Sequence, residues 1–416
     1  MNELQSRVDR FEELTTCSLR VRVFRVPTDR KAPPENALVR PVMPELDVLR
    51  GIAILAVVLY HNFSMAYEGV LHFSKPAEIF IHWTGSGWLG VNLFFVLSGF
   101  LITGILLESK GDPNYYRRFY LRRALRILPI FYSLLMMLLI FGWSTWPYFA
   151  LNLVFLSNVT ALLGVKQTCG WLWSLAVEEH YYSVWPAIAR RLSQPRLAQG
   201  ALTICIAVPL LRGGWFALGH NGLGLRSWTW FVADNLAMGS LLAIAVRAMT
   251  RKHALRLCLG LLLIGAGLAG LAGGSYGLLR HGLIHGYAEA ILQLTFAGIF
   301  FGGLLLLFLL LGTSSWSWLT RWPFLSFLGY ISYGLYLFHP IVFSLYDAVA
   351  RRLFPSLQPQ DYRFDLVVLR FVLGGGVSVG LTYLSRKYFE ERFLRLKKPL
   401  EAKYLNGSRL AEDSVR

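Results

Sequence analysis

An all-α, polytopic membrane protein of about ten transmembrane helices is the fold class predicted by this chain, on three observations. Apolar residues make up 55% of 416, with 13 Trp and 38 Gly. Mean hydropathy is +0.47, a membrane composition in which small residues let helices pack closely in lipid. Apolar stretches of bilayer length recur at 47–66, 87–107, 127–145, 171–189, 200–218, 229–247, 255–274, 287–311, 324–346 and 365–386. The basic residues lie between those stretches and form no basic domain, so the net charge of +17 reads as positive-inside topology, with no nucleic-acid partner.

Residues 1–45 are polar and charged, with Arg-Val-Arg-Val-Phe-Arg at 20–25 and no apolar signal-peptide core. They are expected to form a cytoplasmic tail, partly disordered. The first span carries Arg50 and His61, costly groups in a bilayer and by default functional. Their eleven-residue spacing comes to about 20° beyond three turns, so both face one way, about 16 Å apart along the axis. Arg50 then lies about 4 Å from the inner edge and His61 roughly 21 Å from it. Arg50 could equally snorkel and His61 bond a carbonyl, but neutral imidazole is the side chain suited to a general base near neutral pH.

The second span contains Phe94–Leu101 with Ser98 and Gly99, a pattern for close helix packing. No nucleophile elbow surrounds Ser98. The third span opens on Phe119–Pro129, which includes Arg122, Arg123 and Arg126. Arginines three and four apart share a helical face and suit either anchoring at the inner surface or phosphate recognition.

The stretch 148–165 is only moderately apolar and carries Asn152, Ser157, Asn158 and Thr160. If it does not span, 31 of the 41 Lys and Arg lie on the inner side and 8 on the outer. If it does, everything after it flips, with 17 outside and 6 inside. The bias selects ten spans, both termini in the cytoplasm, and a re-entrant or interfacial 148–165.

The fourth span begins Trp171-Leu172-Trp173-Ser174-Leu175-Ala176-Val177-Glu178-Glu179-His180-Tyr181-Tyr182. Glu178 and Glu179 fall roughly 11–12 Å below the outer surface, facing different directions. Their expected partners are His61 for one and Arg370 for the other. Asp234, Arg370 and His339, the last beside Pro340, fall at a similar level, and packing and site roles fit His339 equally. Two polar levels follow: an inner cationic one of Arg50, Arg122, Arg123 and Arg126, and an outer mixed one. The cysteines Cys17, Cys169, Cys205 and Cys258 show no metal spacing, so no metal is expected. A basic cytoplasmic tail is expected at 390–416.

These residues resemble the acyltransferase 3 family of bacterial integral-membrane O-acyltransferases. The resemblance rests on Glu45-Leu46-Asp47 through Arg50 to His61, Phe94–Phe100, Arg122–Arg126, Trp173–Glu179 and Tyr333–His339, in family order from about 44 to 393. It implies a transmembrane acyltransferase domain over 46–389 in the bacterial cytoplasmic (inner) membrane, among its lipids. It implies acetyl-CoA, or another cytoplasmic acyl-CoA, as donor, and a carbohydrate or lipid-linked glycan of the envelope as acceptor. It puts His61 in the catalytic role and Arg50, Arg123 and Arg126 at the donor; the reading of the residues adds Glu178, Glu179 and His339 as expected catalytic partners and Arg122 to the donor arginines. His180 stands where the family commonly has Gln. The chain ends shortly after the last expected helix, so the hydrolase-like domain of some relatives is expected to be missing.

The expected chemistry is transfer of an acyl group to a sugar hydroxyl, with His61 either a general base or transiently acylated. A small-molecule acceptor such as a macrolide is a variant of that reading. A secondary transporter or flippase for lipid-linked sugars is the rival from another class, although no two-half symmetry is visible.

Overall fold

The computed structural model describes residues 38–220, 224–278 and 283–401, so most of both expected tails lies outside the described residues. Among the described residues the chain is helical, with no strand. Helix α1, Pro44–Leu59, starts on a proline, whose missing N–H costs nothing in a first turn. It runs into a π-turn, Tyr60–Ser64. Then come α2 (Lys75–Thr84), α3 (Gly90–Glu108), α4 (Tyr115–Ile140), α5 (Trp146–Leu153), α6 (Trp173–Arg191) and α7 (Gln194–Ala217). The remainder is α8 (Thr229–Ala248), α9 (Arg251–Leu278), α10 (Leu283–Gly312), α11 (Pro323–Leu353) and α12 (Phe364–Leu384). A second π-turn at Ser385–Glu390 leads into short helices α13 (Glu391–Arg395) and α14 (Lys397–Glu401).

Eight helical segments among the described residues are long and apolar enough to cross a membrane, which makes this a multi-pass membrane protein. All ten expected spans fall on helices. Of the two outside the eight, α6 is depressed in hydropathy by Glu178, Glu179, His180, Arg190 and Arg191, and the side chains of α9 are described only to residue 268. Helix α4 begins twelve residues before the apolar stretch that predicted it, because Arg117–Arg126 lower the hydropathy without disfavouring helix.

The 148–165 stretch forms no helix long enough to cross a membrane. Its helix, α5, has 8 residues, about 12 Å of rise. Phe155 turns left-handed at φ 57, and a 3-10 turn, Ser157–Leu163, follows. Asn152, Ser157, Asn158 and Thr160 are all buried. Asn158 Nδ2 donates to Thr229 Oγ1 at 2.9 Å, tying the segment to α8 and satisfying polar groups that lipid could not.

Glycine sets the helix crossings. A Cβ on Gly99 would lie 1.9 Å from Leu236 O, and one on Gly239 1.9 Å from Val96 O. Helices α3 and α8 thus meet backbone to backbone, as the Ser98-Gly99 pattern predicts. Helices α1 and α11 cross likewise, with Gly51 against Leu325 O at 2.0 Å and Gly329 against Asp47 O at 1.9 Å. That crossing brings the two site histidines onto neighbouring helices.

Arg212, counted above among the outer charges, is instead 0% exposed inside the bundle. Its Nη2 donates to Asp234 Oδ2 at 2.8 Å and to Thr295 Oγ1 at 2.7 Å. Asp234 therefore belongs to a bolt joining α7, α8 and α10.

Candidate active site

Helix α4 projects its arginines into a cavity of about 800 Å³ whose walls also include residues of α1, α3, α6 and α11. Eight basic residues line it (Arg40, Arg50, Arg118, Arg122, Arg123, Arg126, Arg321 and Lys397) against three carboxylates, Asp47, Glu178 and Glu179. Spacing on α4 places Arg122, Arg123 and Arg126 within one turn, and all four arginines expected at the inner level converge here.

Their pairing is incomplete. Arg50 donates to Asp47 Oδ1 at 2.8 Å, one turn back on α1. Arg122 pairs with Glu401 of α14. Arg123 lies over the Tyr182 ring, 4.0 Å from its centroid. Arg126 is exposed to the cavity, has no ion pair or hydrogen bond among the described residues, and faces the like charges of Arg50, Arg123 and Arg386. Arg40 and Arg118 are paired with Glu45 and Asp112, and the positive charge that remains in this half-open cavity suits a polyanionic ligand, whose phosphate oxygens are acceptors.

Glu178 and Glu179 line this same cavity. The Tyr182 hydroxyl donates to Glu178 Oε2 at 2.9 Å, and Ser98 completes the chain by donating to Tyr182. Neither acid bonds His61. Arg370, the other expected partner, is bound to Asp347 and Asn62. Equal depth in a bilayer does not make two side chains neighbours: α6 packs on α3 and α8, while α12 packs on α11. His180 bonds Thr229 Oγ1 at 2.7 Å and links α6 to α8.

His61 is paired with His339. The two ring centroids lie 5.0 Å apart, with His339 Nε2 3.1 Å from His61 Nδ1. His339 Nδ1 lies 2.7 Å from Leu335 O and His61 Nδ1 3.0 Å from Val57 O. Carbonyls only accept, so His339 carries its proton on Nδ1 and presents a lone pair at Nε2. His61 Nδ1 then faces two acceptors and must hold the proton shared between them. The lone pair of His61 is thereby fixed on Nε2, the nitrogen that none of these bonds uses.

Neither histidine lines the cavity, whose wall includes Ser174 and Tyr336. The Tyr336 hydroxyl donates to Trp171 O at 2.6 Å and accepts from Ser174 at 2.6 Å. Tyr336 precedes His339 by one helical turn, with ring centroids 6.2 Å apart. Sequence reasoning gave no role to Tyr182, Tyr336 or Asp347, although Tyr182 follows Glu178 by four residues and Tyr336 precedes His339 by three, spacings that share a helical face.

The chain is similar over part of its length to characterised and named relatives. Peptidoglycan O-acetyltransferase OatA of Listeria monocytogenes is 31% identical over 202 residues, 43% of this chain and 29% of the relative. The putative peptidoglycan O-acetyltransferase YrhL of Bacillus subtilis is 30% identical over 230 residues, 47% of this chain and 33% of the relative. The chain therefore covers about a third of the length of these relatives. No solved structure matches it. A family model described as an acyltransferase domain matches residues 43–387, most of the chain, and by that match the protein belongs to the acyltransferase 3 family of membrane acyltransferases.

Proposed function

We propose that this protein is an O-acyltransferase that moves an acetyl group from cytoplasmic acetyl-CoA to a hydroxyl of a cell-envelope carbohydrate. One observation carries the reading: a cavity lined by eight cations includes Tyr336 in its wall, one helical turn from a paired, tautomer-fixed histidine. The names of the relatives support a peptidoglycan-type glycan as the acceptor, and the bias of basic residues supports donor access from the cytoplasm with both termini there.

In this reading Arg122, Arg123 and Arg126, with Arg50, hold the phosphates of CoA by charge-assisted bonds. Glu178 and Glu179 act on the cavity side: Glu178 fixes the Tyr182 phenol beneath Arg123 and so shapes the donor site, a role different from the His61 partner expected of it. The pantetheine arm runs toward Tyr336 and displaces its bonds to Ser174 and Trp171, which opens the wall before His339. His61 Nε2 accepts the proton of the acceptor hydroxyl, and the oxygen forms its bond to the thioester carbonyl carbon. The carbon–sulfur bond breaks, and the thiolate takes the proton back from the imidazolium. The products are the ester and CoA thiol. His339 is a positioning residue: its Nε2 holds the His61 Nδ1 proton in place, much as a buried acceptor holds the base in a catalytic triad.

The test uses purified protein in liposomes with labelled acetyl-CoA and a chitooligosaccharide. The reading predicts labelled ester and an equal amount of CoA thiol. Accumulation of the sugar in the lumen without thiol release would replace it with a transporter.

A further inference from the structure

Resting on that reading, we infer that Arg370 and Asp347 position His61 by clamping the π-turn that carries it. In the turn Tyr60–Ser64 the Met65 N–H reaches Tyr60 O, five residues back. Wide turns of this kind are rare, are common at functional sites, and need tertiary restraint to persist in place of an ordinary helix. The restraint here is Asn62, next to His61 and 0% exposed. Arg370 Nη1 donates to Asn62 Oδ1 at 2.8 Å, and Asn62 Nδ2 donates to Val367 O at 3.4 Å.

The guanidinium is used on all its edges. Its Nε and Nη2 donate to the two Asp347 oxygens at 2.7 and 2.9 Å, a bidentate pair that fixes the plane of the fork. That plane also stacks 4.6 Å from the centroid of Phe343, whose ring meets His339 edge-on at 6.3 Å. Arg370 on α12 thus restrains both histidines, His61 through the neighbouring Asn62 and His339 through Phe343 on α11.

A bolt between α11 and α12 would need only the Arg370–Asp347 pair. The third bond, from Nη1 into the π-turn, is the part that a purely structural pair does not require. Lysine keeps the charge opposite Asp347 but offers a point ammonium in place of the fork, so it cannot hold Asp347 and Asn62 together in this geometry.

The experiment measures kcat and KM for acetyl-CoA, with a chitooligosaccharide as acceptor, in Asn62→Ala, Arg370→Lys and His61→Ala, each normalised to folded protein. Asn62→Ala leaves the ion pair intact and supplies an arm that folds if Arg370→Lys does not. Misplacement of the base predicts a fall in kcat of about 10- to 100-fold in Asn62→Ala and Arg370→Lys, with KM for acetyl-CoA unchanged. Unchanged kcat in Asn62→Ala, or a rise in KM without loss of kcat, would overturn the clamp. If His61→Ala keeps full turnover, His61 is not the base and the clamp falls with that role; if wild type itself forms no ester, the acyl-transfer reading falls. If only His61→Ala loses turnover, the clamp alone falls.

Discussion

The arginine cavity and the histidine pair are neighbours built on opposite principles. In the cavity, positive charge exceeds negative and Arg126 has no ion-pair partner among the described residues, so the site is electrostatically incomplete until an anion enters. Around His61 the ring N–H has an acceptor, the partner imidazole is oriented by a carbonyl, and the backbone turn is held by a buried amide and guanidinium. In the proposed reading, incompleteness supplies binding and completeness supplies preorganisation. Mutations in the two regions should therefore fail in different ways, the first in KM and the second in kcat.

The largest effect should come from His61→Ala. Loss of the general base predicts a fall in turnover of about 10²- to 10⁴-fold, with CoA binding retained in an equilibrium titration. A similar loss of binding would erase the distinction between the regions. Next is the double variant Arg123→Ala/Arg126→Ala. Charge-assisted bonds to a phosphate contribute about 1.5–3 kcal/mol each, so acetyl-CoA should bind about 10²-fold or more weakly and kcat at saturation should be preserved. The wild-type affinity should also fall as salt rises, because the interaction is between charges.

His339 sharpens the comparison at a smaller magnitude. His339→Ala removes the acceptor for the His61 ring N–H and should lower kcat about tenfold or more, whereas His339→Gln, with a side-chain oxygen in reach, should retain more of it. Equal activity in the two variants would deny the tautomer argument. Tyr182→Phe is expected to do least: it removes one hydrogen bond to Glu178, worth about 1 kcal/mol, and should raise KM a few-fold and leave kcat near wild type. A kcat defect as large as that of His61→Ala would move Tyr182 out of the donor site and into the chemistry.

Much of this was legible in the sequence where one-dimensional information is enough. Apolar stretches give helices, and the bias of basic residues argues against a crossing at 148–165. The spacing of Arg122, Arg123 and Arg126 on one helix, with Arg50 near the same edge, predicts their convergence. The outer layer was not legible, because depth along a helix axis carries no information about which helices touch. Glu178 could be ranked with His61 by depth and still face Ser98 and Tyr182 across α3. Arg370 found Asp347, a residue near the end of an unusually long α11 that the sequence placed in an outer loop. The π-turn was equally hidden: Tyr60–Ser64 reads as ordinary helix, and only the tertiary bond from Arg370 to Asn62 marks it. The pairing of His61 with His339 depends on the glycine crossing of α1 and α11, whose partners 278 residues apart in sequence no local pattern connects.

The most direct test of the division between the two regions is a steady-state comparison in one liposome preparation. Wild type, His61→Ala and Arg123→Ala/Arg126→Ala are assayed across acetyl-CoA concentrations for ester formed and CoA thiol released. The account predicts that His61→Ala binds CoA like wild type and turns over at least 10²-fold more slowly, while the arginine variant regains wild-type turnover at high acetyl-CoA. Full turnover by folded His61→Ala, or an arginine variant that saturates normally and fails in turnover, would contradict it.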